Sequence, residues 1–258
     1  MNINSKPTTR LCTHDTESIT VRGADLVDDL IGELTFTEMT YFAIIGRRPT
    51  QAQTRILDAV LVTLMEHGLT PSAIAARMVY ASTPESLQAG VSAGLLAVGS
   101  VFVGTMEGCA ALIARILAAP DGEAVARDIA DEYRCARKAI PGFGHHMHKP
   151  DDPRTPKLFA LAEAQGVPGN HIAALRTLSA AVDERFGKHI TVNATGAIGA
   201  LLGEIEIPAP VMRGVAVISR SAGLVAHIAE EQQTPSMRYM WDLIEEAVPY
   251  EADSDASG

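Results

Sequence analysis

The stretch PGFGHHMHKPDDPR, residues 141–154, interrupts a chain that otherwise reads as helix after helix. Two glycines around Phe143 make a tight turn, and His145 follows at once, then His146, His148, Lys149 and Arg154. A turn that offers its amides beside an imidazole and two cations suits an anionic, phosphate-bearing ligand next to a proton-transfer group. A metal reading uses His145, His146, His148, Asp151 and Asp152. No second cluster elsewhere supplies a closed ligand shell, so no metal is expected. The bland alternative is a surface loop without a special role.

Outward from that segment the helical signals are dense. Asp121 starts GEAVARDIADEYRCARKA, which Pro141-Gly142 stops; Thr155-Pro156 starts the next segment, and Gly166 ends it. Asn170 caps HIAALRTLSAAVDERFG. Nearer the N-terminus, Thr35 to Glu38 is a capping-box pattern closed by Gly46. Thr50 precedes a run whose apolar positions Ile56, Leu57, Val60, Leu61 and Leu64 keep helical spacing up to Gly68. Thr83-Pro84-Glu85 reads as another start, with proline at the first helical position. TGAIGALLGEI, APVMRGVAVISRSAGLVAHIAEEQ and SMRYMWDLIEEAV complete about nine helices. Only SITVRG near residues 18–23 reads as extended. The expected fold class is all-α.

A length of 258 residues is enough to bury a substantial core, and 47% hydrophobic with 20% charged residues excludes wholesale disorder. The net charge of −10 argues against a general nucleic-acid binder, whose affinity rests on neutralising phosphates. Among the 21 basic residues arginines outnumber lysines, which favours bidentate capture of a small anion. Cys12, Cys109 and Cys135 form no CxxC, and an odd count suits reduced thiols rather than a disulfide scaffold. The opening MNINSKPTTRLCTHDTE has no apolar core of a signal peptide, so a cytoplasmic protein is expected. Ser86–Met106 is uncharged and of membrane-spanning length, but four glycines dilute it. It is read as one central helix buried on all sides, with Gly90 and Gly94 admitting a close neighbour; no membrane partner is expected.

Three further places carry chemistry. His67 sits in Glu66-His67-Gly68 at a helix end, where a lone histidine is most often a cap. Arg220 lies on a mainly apolar helix and must find a partner, and His227 is two turns on along the same face. Asn193-Ala194-Thr195-Gly196 is an uncharged helix start whose amides suit a ligand.

PGFGH with DPR nine residues after its His, EHG at a helix end, an N-x-x-G-A helix and an SR-x-x-G-x-x-A-H helix occur here in the order found in citrate synthases. The chain resembles that superfamily over nearly its whole length. It is most similar to the short branch, citryl-CoA lyase and the citryl-CoA-cleaving module of ATP-citrate lyase. The resemblance implies an all-helical fold with a large domain (1–106 and 214–258), a small domain (107–213), an active cleft between them, and a homodimer or dimer-based oligomer. It implies chemistry that makes or breaks a carbon–carbon bond between acetyl-CoA and an oxo acid, with coenzyme A arriving as part of the substrate and a polycarboxylate beside it.

Residue by residue, the resemblance gives His145 to the oxo-acid carbonyl, His67 to the citrate-like substrate, and Arg154 and Arg220 to its carboxylates. Arg238 matches, more loosely, an arginine that reaches the site from the neighbouring subunit. Gly142, Phe143 and Gly144 would face the CoA adenine, and Lys149 a CoA phosphate. Two positions depart from the pattern. The histidine that polarises the thioester in citrate synthases falls at Phe102 or Val103, and the catalytic aspartate of N-V-D-G is Thr195. A hydroxyl is a poor base, and a positioned acid–base group contributes roughly 10²–10⁴-fold, so ordinary condensation should be crippled. Cleavage of citryl-CoA or a related hydroxyacyl-CoA is therefore the expected function, with His145 a candidate base for the tertiary hydroxyl. Condensation by a citrate synthase-type acyltransferase, and CoA or polycarboxylate binding without catalysis, are the alternatives.

Overall fold

The computed structural model describes residues 6–99, 101 and 104–251. Three short strands open the chain: β1 (Cys12–His14), β2 (Ile19–Val21) and β3 (Ala24–Asp25). Eleven α-helices follow among the described residues: α1 (Phe36–Ile45), α2 (Gln51–Met65), α3 (Pro71–Ser82), α4 (Leu87–Leu96), α5 (Thr105–Leu117), α6 (Gly122–Ala136), α7 (Arg154–Ala164), α8 (Asn170–Phe186), α9 (Ala194–Glu204), α10 (Met212–Gln233) and α11 (Met237–Ala247). The fold is all-α, as expected. The chain forms two compact units, Met1–Thr63 with Val103–Val215, and Leu64–Phe102 with Ala216–Gly258.

In the first unit the strands form an antiparallel meander, with Cys12 opposite Val21 and Thr20 opposite Asp25. Arg22 and Gly23, both at positive φ, make the two-residue turn between β2 and β3, a backbone twist that matches paired strands. Val21, Leu30 and Phe42 form a small core beneath the meander. The Thr35 box is formed: its hydroxyl accepts from the Glu38 amide, and the Glu38 carboxylate accepts from the Thr35 amide at 2.8 Å. Gly46 ends α1 in the left-handed conformation. The Tyr41 hydroxyl, buried on α1, donates to the carbonyl of Ile205 at 3.0 Å. That bond ties the N-terminal segment to the end of α9, so residues up to 63 group with 103–215.

The centre of this unit is α9, buried along nearly its whole length against α5, α7 and α8. Glycine permits the close approach: a Cβ at Gly199 would lie 2.8 Å from the carbonyl oxygen of Met106 on α5. Helix α8 starts differently from expectation. Asn170 is its first helical residue, not its cap, and the open amides of Gly169, His171 and Ile172 donate to the buried carboxylate of Glu204. Thr155 does not cap α7 either; its hydroxyl donates to the carbonyl of Val192 at 2.8 Å.

The second unit holds α3, α4, α11 and most of α10. The expected single helix over Ser86–Met106 is corrected. Helix α4 stops at Leu96, α5 starts afresh at Thr105, and Leu96 and Val101 are exposed. Pro84 lies in a turn before α4, not at its first position, and α3 is a separate helix with Pro71 at its start. The close approach through Gly90 and Gly94 is real: a Cβ on either would press on α3 carbonyls and on Ile228 or Leu224 of α10. Gly223 brings α10 equally close to the backbone of Met65, which sets the Glu66-His67-Gly68 turn against α10. By length and composition alone, Ala209–Gln233 would suffice to cross a membrane, yet it carries Arg213, Arg220, Glu230 and Glu231, all in ion pairs.

Candidate active site

Backbone pairing fixes the 141–154 segment. Phe143 bridges Val192, the Gly144 amide donates to Thr191 O at 2.8 Å, and the Asn193 amide donates to Gly142 O at 3.0 Å. Gly142 sits at φ +84°, where a Cβ would lie 2.7 Å from both Cys109 Sγ and Gly196 Cα. Only glycine fits there. The expectation that this turn offers its amides to an anion is corrected for two of them. Phe143 N donates to Ile140 O, and Gly144 N is already paired with Thr191. Lys149 is exposed.

His145 is half-buried, and its Nδ1 accepts from the backbone amides of Met147 (3.1 Å) and His148 (3.0 Å). The neutral ring therefore carries its proton on Nε2. A second proton on Nδ1 would face two N–H donors. Burial, and after it the neighbouring His148, also hold the ring below the usual histidine range. His145 is thus built as a neutral hydrogen-bond donor, and the candidate role of base is corrected on this geometry. His146 stacks on it at 4.7 Å.

Asp152, which the sequence offers only to a metal, organises the 141–154 segment. It is fully buried. Its Oδ1 accepts from Arg154 N and Nε (3.1 and 2.9 Å), and its Oδ2 from Arg154 Nη2 (2.7 Å) and from the Ala194 amide at the start of α9 (2.9 Å). Burial raises the carboxyl pKa, but the Arg154 and Ala194 donors outweigh it and bring it down to about 2. Arg154 is so held along one edge, which leaves Nη1 to turn elsewhere. Asp151 is committed to His189, at 3.1 Å.

At the start of α9, Asn193 Oδ1 accepts from the Gly196 amide (3.1 Å) and from the Thr195 hydroxyl (2.6 Å). Thr195 must donate there, because an amide oxygen has no proton. The 2.7 Å contact between the Thr195 and Thr105 hydroxyls therefore runs from Thr105 as donor. Two hydroxyls in series occupy the place where the family pattern has a carboxylate. Of this helix start's amides, those of Ala194 and Gly196 are consumed internally, contrary to expectation. Phe102 and Val103 lie outside the described residues.

In the second unit, Glu66 Oε1 accepts from the amides of His67 (2.7 Å) and Gly68 (2.6 Å), so His67 lies in a side-chain-capped turn just past α2. Glu66 Oε2 lies 2.9 Å from His227 Nε2 and 3.7 Å from Arg220 Nη1, which places Arg220 and His227 on one face of α10 as their spacing predicts. Desolvation raises the Glu66 pKa, but His227 and the two amides win and lower it. Behind His227 stands Arg77, buried on α3 and missed by the sequence reading. It donates to His227 Nδ1 (3.1 Å from Nε) and pairs with Glu231 (3.0 Å) and Glu230. Arg220 is 8% exposed, and its Nη1 finds no hydrogen bond among the described residues. Burial pulls its pKa down, with Glu66 opposing. Arg238 is exposed on α11, paired with Asp242 at 3.1 Å.

Comparison with known proteins bears on the family. The citrate synthase C-terminal domain family matches residues 32–240. The structure of citryl-CoA lyase from Hydrogenobacter thermophilus superposes with a TM-score of 0.85 at 33% identity, over 97% of this chain and 96% of that one. An ATP citrate lyase of Methanosaeta concilii, solved with (3S)-citryl-CoA, shares the fold at a TM-score of 0.80 and 20% identity, over 97% of this chain and 43% of that one. Citrate synthase of Heyndrickxia coagulans is 26% identical over 206 residues, 78% of this chain and 53% of that protein. The chain spans about half or less of the length of the curated relatives it matches. With a family match over most of its length and a full-length structural relative one-third identical, the chain belongs to the citrate synthase family.

Proposed function

We propose that the protein is a CoA-dependent carbon–carbon lyase that cleaves citryl-CoA, or a closely related hydroxyacyl-CoA, to acetyl-CoA and an oxo acid. The observation that carries the reading is Arg220: a buried guanidinium whose Nη1 has no hydrogen bond and only a long contact to Glu66. A buried cation in that state is costly unless an anion joins it. The full-length likeness to a citryl-CoA lyase supplies the class of anion.

In this reading Arg220, Arg154 and His67 hold the substrate carboxylates, with Arg238 added from a second copy of the chain in a dimer. The tertiary hydroxyl gives its proton to solvent water and becomes the oxo-acid carbonyl. The carbon–carbon bond breaks, and its electron pair passes into the thioester as an enolate, which a proton from water, added at carbon, turns into acetyl-CoA. His145, a neutral Nε2–H donor, hydrogen-bonds the oxygen that becomes the carbonyl and stabilises charge there. Thr195, which accepts from Thr105, is the residue this reading gives to the enolate end. Gly142, Phe143, Gly144 and Lys149 hold the CoA moiety; no residue role here requires a metal. The test is a coupled assay for acetyl-CoA and oxaloacetate released from citryl-CoA. Stoichiometric release supports the reading.

A second reading is favoured by one feature, the hydroxyl where the family pattern has an aspartate. A chain that binds CoA and a polycarboxylate tightly but releases nothing in the same assay would be a binding protein without the family's catalysis.

A further inference from the structure

His189 lies just past the end of α8, between two aspartates. Its Nδ1 is 2.6 Å from Asp183 Oδ2, and its Nε2 is 3.1 Å from Asp151 Oδ1. An ionised carboxylate only accepts, so both ring nitrogens must donate. The arrangement is complete only when the ring is an imidazolium. Asp183 is anchored on α8, and its other oxygen takes the Ile190 amide at 2.8 Å. Asp151 belongs to the loop side of this contact: it immediately precedes Asp152, which grips Arg154 and the start of α9.

We propose that His189 is a positioning residue whose imidazolium clamps the Arg154 loop to α8, so that carboxylate binding at Arg154 weakens as the solution turns alkaline. This rests on the reading of Arg154 as a substrate-carboxylate ligand. The charged groups that face the ring are Asp183 from α8 and Asp151 from the loop. Asp183, then Asp151, raise the ring's pKa, with burial opposing. A group with a raised folded-state pKa contributes fully below its unfolded value, about 6.5, and loses that contribution as pH climbs through the folded value. When one proton leaves, the shorter contact to Asp183 keeps the remaining one. The bond that opens is then the one to Asp151, on the Arg154 side. Both pairs are half-exposed, so the effect is modest, about two- to fivefold in affinity.

Two measurements test this. An NMR titration of the His189 ring in the full chain should show a pKa above the usual range that falls in D151N; a normal value unchanged by D151N overturns the clamp, whatever the ligand is. Calorimetry with citrate from pH 6.5 to pH 9 should show the two- to fivefold loss in the wild type. H189Q and D151N should bind at the weaker level throughout, with no such slope. An alkaline loss of equal size in H189Q assigns the slope to another group and overturns the proposal. Failure of the wild type to bind citrate or oxaloacetate at any pH removes Arg154 as a carboxylate ligand and takes the proposal with it, even where the NMR result stands.

Discussion

Thr195 gives its proton to Asn193 and takes one from Thr105, so its hydroxyl is oriented but not basic. An aspartate at that position would accept from Thr105, and the helix start would keep it ionised. T195D is therefore expected to raise condensation of acetyl-CoA with oxaloacetate. The gain should be about tenfold, below the usual range for a positioned base, because Asn193 Oδ1 repels a carboxylate and Phe102 and Val103 provide no histidine. Oxaloacetate-dependent release of free CoA reads this directly; a folded T195D no faster than wild type would show that the base is not what limits condensation. Arg220 makes the opposite kind of prediction. Its guanidinium is buried with one nitrogen lacking a hydrogen bond, so R220A should weaken citrate binding about ten- to a hundredfold, the worth of a charge-assisted pair. CoA affinity should hold, since the residues assigned to CoA lie in the other unit. Calorimetry with each ligand separates the two; an equal loss of CoA affinity in a folded R220A would undo the assignment.

Helix α9 works as an element because glycine lets other backbones touch it. Gly196 packs on Gly142 so closely that a methyl group at 196 would press into the Gly142 carbonyl. That contact holds the PGFGH turn against the helix that carries Thr195. G196A should destabilise the protein by about 1–3 kcal/mol, the cost of overpacking a rigid contact. G144A is the comparison: nothing lies within 4 Å of its added methyl, and only its φ of +77° resists. Its cost should be smaller, about 1 kcal/mol. Urea unfolding of both variants checks the order, and G144A the more damaging would contradict it. The element boundaries have the same origin. Thr35, Asp121 and Asn193 cap their helices through side-chain bonds two or three residues away, so their positions are readable from spacing. Helix α8 is capped by Glu204, 32 to 35 residues further along, and no local signal announces that.

At the scale of the whole molecule, α11 buries none of its residues within the chain, although Trp241, Leu243 and Ile244 are about half exposed and Tyr239 more so. Apolar surface of that kind marks an interaction face. With the exposed Leu96 at the end of α4 and Val101 after it, this surface is where copies of the chain are expected to meet. Light scattering at micromolar concentration should give at least twice the 27.4 kDa chain mass. A stable 27.4 kDa species would remove the dimer and, with it, the role given to Arg238 from a second copy.

The sequence by itself determined the all-α class, most helix ends and the family. Those rest on interactions within three or four residues and on short motifs whose order survives as text. It also put Arg220 and His227 on one face, since helical periodicity alone does that. Tertiary structure decided what each site residue is paired with. Asp152 turned from a metal candidate into the holder of Arg154 and of α9 because folding brings the Ala194 amide to it from 42 residues away. Thr105 and Thr195, 90 residues apart, became a hydroxyl pair. Arg77 gained its part from His227, 150 residues away. The uncharged run over Ser86–Met106 became two helices. Its composition permits one long helix, but α3 and α10 press on it at Gly90 and Gly94, and the helix stops at Leu96. Spacing fixes where a side chain points along its own element; only the close-packed chain fixes which distant donor or acceptor it meets.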